Sequence, residues 1–168
     1  MIVSLMKRLG AIFLALLLFL ADCINGFEPP SKDEATAFLM QHREDIDTIV
    51  DYLKELEFSY AYIEDDKGVF YELGWHDIPS NEVNTSVHRL RLSKCTNINK
   101  KANTISFEIW SRTMGGVDCG IACTIDGQGT PKTLFQINCV ELCDGWFYYF
   151  DDYEEYRAHP SQYEENQP

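Results

Sequence analysis

The sequence predicts an α+β domain, one long N-terminal helix packed on a curved antiparallel β-meander of about six or seven strands. Three observations predict it. Apolar residues recur at helical spacing from Ala35 to Leu56. Beyond Glu57 the period changes to two, in runs rich in aromatic and β-branched residues. Turn signals such as Asp144-Gly145 then separate these runs.

Residues 1–26 read as a signal peptide. Lys7 and Arg8 precede an unbroken apolar run of 13 residues, Leu9 to Ala21. That is shorter than the roughly 20 residues a membrane-spanning helix needs, and it suits the hydrophobic region of an export signal. Leu20-Ala21-Asp22-Cys23 resembles the lipobox of bacterial lipoproteins. The resemblance implies a lipid on Cys23 and a membrane-anchored protein. Cleavage near Gly26 is the alternative and implies a secreted one. Either way the expected location is extracytoplasmic, with membrane contact only through the anchor.

Residues 27–153 are sized for one globular domain with an adequate core. Pro29 and Pro30 disfavour helix, and Ser31 with Glu34 forms a capping box that starts it. Ala35, Phe38, Leu39, Ile46, Ile49, Val50, Leu53 and Leu56 supply the apolar stripe. "FSYAYIE" and "VFYELGW" read as a hairpin around "DDKG". "HDIPSNEVNTS" reads as a loop, "VHRLRLS" as an alternating strand and "CTNINKKAN" as a second loop. "TISFEIWSR" and "WFYYFDDY" are further strands. Residues 154–168 read as an acidic, disordered tail. The layout is similar to cystatin-like domains, but Gln128-Gly129-Thr130 does not match that family's Gln-x-Val-x-Gly segment, and no family assignment follows.

The chain carries 27 acidic and 14 basic residues, a net charge of −13. Such a domain repels phosphate backbones, so nucleic acid is not an expected partner. The expected partner is a protein or other ligand at the cell surface, and no cofactor is expected.

Four of the six cysteines lie between 119 and 143. A hairpin in this segment would set Cys119 opposite Cys143 and Cys123 opposite Cys139, since both pairs sum to 262. The pairs are then candidate cross-strand disulfides in an oxidising compartment, or buried free thiols. Cysteines four apart on a strand lie about 13 Å apart. Four thiolates so spaced do not converge on one zinc ion, so no metal site is expected.

His76, in "Gly74-Trp75-His76-Asp77", and His88 are the candidate catalytic residues of a small secreted hydrolase. Trp110, Arg112, Arg89, Arg91 and Glu108 are the candidate binding residues, expected on one sheet face. No nucleophile elbow, phosphate loop or HExxH motif is present. A non-catalytic binding module is therefore the leading expectation, with the hydrolase and a structural envelope component as alternatives.

Overall fold

The computed structural model describes residues 28–64, 68–78, 80–112 and 116–164. The leader expected over residues 1–26, Cys23 included, lies outside the described residues. Among the described residues the helices are α1 (Lys32–Gln41), α2 (Arg43–Glu55), α3 (Asn81–Leu92), α4 (Tyr153–Ala158) and α5 (Pro160–Glu164). The strands are β1 (Tyr60–Glu64), β2 (Gly68–Tyr71), β3 (Gly74–His76), β4 (Asn97–Lys101), β5 (Thr104–Arg112), β6 (Val117–Thr124), β7 (Gln136–Cys143) and β8 (Trp146–Asp152). They form one antiparallel sheet in the order β3-β2-β1-β4-β5-β6-β8-β7.

The capping box is present. The Glu34 amide donates to Ser31 Oγ at 3.3 Å, and Glu34 Oε2 accepts the Ser31 amide at 2.8 Å. The single long helix is corrected to two, because the backbone leaves helical geometry at His42 (φ −112, ψ 18). The two halves have different supports: α1 lies against β6 and β8, and α2 against α3. Ala35 and Leu39 from α1 and Ile46, Ile49, Val50 and Leu53 from α2 are buried.

Three further expectations are corrected. "VHRLRLS" belongs to α3, where Val83, Val87 and Leu90 follow helical spacing. Ser80 caps that helix, its Oγ accepting the Val83 amide at 3.4 Å. "NINKK" is a strand, with Ile98 packed in the core. The segment after 153 is helical through Glu164, with the Phe135 ring 4.9 Å from Tyr153 and 5.9 Å from Tyr156. Asp152 Oδ1 caps α4 by accepting the Glu155 amide at 2.9 Å.

The expected β1–β2 hairpin forms, and "VFYELGW" folds back again as β2 and β3. Glu72 (φ 49) and Leu73 (φ 62) turn it with two left-handed residues, the twist a two-residue hairpin needs. Asp144 (φ 46) and Gly145 (φ 78) do the same between β7 and β8, as the sequence predicts.

The cysteine hairpin is corrected too. β8 inserts between β6 and β7, which therefore do not pair. Cys119 stands opposite Phe150 and Cys139 opposite Tyr149. Cys95, Cys119, Cys123, Cys139 and Cys143 are all free thiols.

One sheet face carries Ala61, Ile63, Ile98, Ile105, Phe107, Ile121 and Trp146 into the core beneath α1, α2 and α3. A lysine also points there. Buried Lys100 donates from Nζ to the Leu53 carbonyl at 2.9 Å and to the Leu56 carbonyl, capping the C-terminal end of α2.

Candidate functional site

The opposite sheet face is built from the alternate residues of the same strands. Paired residues trace one row across it, Trp75–Phe70–Tyr62–Asn99–Ser106–Ala122. A neighbouring row runs Asn97–Glu108–Gly120–Tyr149–Cys139. Asp118 and Asp151 pair in the next. The loop before β7 crosses this face, held where the Lys132 amide donates to Thr104 Oγ1 at 2.9 Å.

These elements enclose a cleft of about 120 Å³, bounded by Tyr60, Asn99, Glu108, Asp118, Tyr149 and Asp151, with Lys101 and Lys132 also on its wall. Gly120 stands in register between Glu108 and Tyr149. A Cβ there would overlap the Phe107 carbonyl oxygen, so only glycine fits the close approach of β5 and β6.

Two of the three acids are fixed by hydrogen bonds. Glu108 Oε1 accepts from Thr96 Oγ1 at 2.6 Å, and Oε2 accepts from Asn97 Nδ2 at 3.0 Å. Asp151 accepts from Thr133 Oγ1 and from the Phe135 amide, the latter at 3.3 Å. Burial raises the Asp151 pKa above the usual carboxylate value. Asp118 is pushed up to about 7, first by burial and then by the charges of Asp151 and Glu108.

At the β3 end of the same face the aromatic rings touch. Tyr62 and Trp75 meet edge-on at 5.1 Å, and Phe70 and Trp75 at 5.4 Å. Trp75 is 38% exposed and Tyr60, on the cleft wall, 48%.

Of the five predicted binding residues, only Glu108 lines the cleft. A β-bulge between Glu108 and Trp110 changes the side on which residues point. Trp110 therefore packs partly buried against the core, and Arg112 lies exposed at the end of β5. Arg89 and Arg91 are on α3. Arg89 pairs with Asp45 at 3.1 Å, and Arg91 Nη2 donates to the Ile63 carbonyl at 2.7 Å. The two candidate catalytic histidines are not brought to the cleft. His76 stacks on Tyr71, ring centroids 3.9 Å apart, and His88 is on the exposed side of α3. Among the described residues no group of three or more His, Cys, Asp or Glu is placed to hold a metal ion.

No family model, curated protein or solved structure matches this chain.

Proposed function

We propose that the protein is a non-catalytic binding module acting outside the cytoplasm, secreted or lipid-anchored, with its ligand site on the sheet face that α1, α2 and α3 leave uncovered. One observation carries this reading. A polar cleft and a row of aromatic rings lie on the same face, linked through Asn99 and Ser106. Aromatic faces supply contact area at low entropic cost, and a few placed polar groups give orientation. The export signal read in residues 1–26 and the acidic composition support action at the cell surface.

The test is a screen of peptides, glycosides and amines by amide-shift mapping in solution. A ligand that shifts Tyr60, Asn99, Ser106 and Tyr149, and leaves unchanged, supports the reading. Shifts confined to the helical layer would remove the site assignment, and turnover of the ligand would remove the non-catalytic one.

A further inference from the structure

The aromatic row and the cleft are parts of one continuous surface. Paired residues run Trp75–Phe70–Tyr62–Asn99–Ser106 from β3 to β5, and the last two line the cleft. A second row, Tyr60–Lys101–Thr104, lies beside it and also lines the cleft. The first row crosses four strand spacings of about 4.8 Å, roughly 19 Å in all. About 120 Å³ is small beside the roughly 300–1,000 Å³ of pockets that enclose a whole small molecule. The surface therefore suits an elongated ligand, one end in the cleft and the rest along the rings.

The aromatic end is open. Trp75 meets Tyr62 and Phe70 edge-on rather than face to face, and it stays 38% exposed, as Tyr60 stays 48% exposed. Edge-on packing holds the rings in place, and ring surface remains for a ligand to cover.

The polar end carries both signs. Lys101 and Lys132 line the cleft together with Glu108, Asp118 and Asp151. A lysine ammonium only donates hydrogen bonds, and an ionised carboxylate only accepts them. A cation is opposed by the lysines and an anion by the acids. A neutral hydroxyl both donates and accepts, so a ligand with several hydroxyls meets both sets at once. Glu108 is oriented in advance. Thr96 Oγ1 and Asn97 Nδ2 each donate to one of its oxygens, and the carboxylate keeps further lone pairs for a ligand. Exposed rings beside a wall of mixed charge match a molecule with C–H faces and a rim of hydroxyls, which is the make-up of a sugar ring.

We propose that the uncovered sheet face binds a neutral oligosaccharide, with its rings laid against Trp75 and Tyr60 and its hydroxyls bonded to Asn99, Lys101 and Glu108. The inference rests on the binding-module reading and names the class of its ligand.

The experiment is an amide-shift titration with cellotetraose, xylotetraose, mannotetraose and maltotetraose as probes. The comparisons are n-butylammonium chloride, sodium butyrate and indole. At least one tetraose is expected to shift the Trp75 indole N–H and the amides of Asn99, Ser106 and Glu108. High salt should leave its affinity unchanged, as for an uncharged ligand. The disaccharide of the same series, too short to reach from Trp75 to the cleft, should bind at least about tenfold more weakly. Trp75→Ala should weaken the tetraose about tenfold. Tyr60→Ala, which keeps the contacts of Trp75, should act in the same direction and serves if Trp75→Ala does not fold. Four tetraoses that leave the face unshifted, or binding that both variants leave unchanged, would overturn the inference. Butylammonium, butyrate or indole shifting the face while no tetraose does would overturn it and leave the binding-module reading standing. A tetraose that binds there and is cleaved would support sugar recognition and remove the non-catalytic reading. If no probe and no ligand of the wider screen touches the face, both fall.

Discussion

Cys123 and Cys143 lie on either side of Trp146, one on β6 and the other on β7, each paired in register with it. Next-nearest strands are about 10 Å apart, whereas a disulfide needs Cα atoms within about 7 Å. The Trp146 side chain is buried in the core, its ring centroid 6.0 Å from that of Phe107.

The thiols should therefore be protected rather than paired. Burial pushes Cys95 up to about 12 and Cys119, Cys123 and Cys139 up to about 11, so little thiolate is present at neutral pH. Native protein treated with iodoacetamide is expected to leave Cys95, Cys119 and Cys123 unmodified until denaturant is added. Peptide mass mapping reads this directly. Rapid native labelling of these three, or a Cys123–Cys143 bridge in the untreated protein, would contradict the strand order.

Asp118 should make the fold less stable as pH rises. Below about pH 4 its carboxyl is protonated in both folded and unfolded chains, and it contributes no pH dependence. Between about 4 and 7 the folded chain keeps a proton that the unfolded chain has lost. Stability falls across that window, and the loss is complete above about 7. Raised Asp151 acts in the same direction. Glu34 and Asp126, both exposed, have lowered values and act oppositely. The comparison of Asp118→Asn with the parent isolates the one group. The variant should melt higher at pH 8, by about 4 °C for each kcal/mol regained, and equally at pH 3.5. An equal melting temperature at pH 8 would show that the carboxyl is not penalised by burial.

Lys100 should be a structural residue despite its charge. Its ammonium satisfies the Leu53 and Leu56 carbonyls at the end of α2, and burial holds its pKa below the ordinary lysine value. Lys100→Met keeps the apolar stem and removes the donors. It should cost about 1–3 kcal/mol, the range for leaving a buried acceptor unsatisfied. A urea melt with an unchanged slope and a lower midpoint checks it. An unchanged midpoint would mean that water takes over both carbonyls.

The Ser31–Glu34 cap and the Asp144-Gly145 turn were legible because each is written in adjacent residues. The apolar stripe was legible too, but not its break at His42, which lies where the supports of the two halves change. α3 was missed because His88, Leu90 and Leu92 alternate with Arg89 and Arg91, as a strand would. Ser80 and Val83, one helical turn earlier, carry the signal that decides it. β4 was missed because Asn97, Asn99 and Lys101 are polar and Lys100 is buried only by reaching a helix end. The cleft was not legible beyond Glu108. Asp118 and Asp151 are 33 positions apart, and they meet only because β8 pairs with β6. The constant-sum register assumed that chain neighbours pair, and here they do not.

That strand order also sets when the sheet can be completed. β6 is made before β7, and β7 before β8, yet β8 is the strand that joins them. A chain halted ahead of Trp146 would leave β6 with one unsatisfied edge and β7 with no neighbour at all. Such edges are what stray strands of other chains add to. The last strand of the sheet thus acts as its keystone, and the acids of the cleft come into register only when it is set.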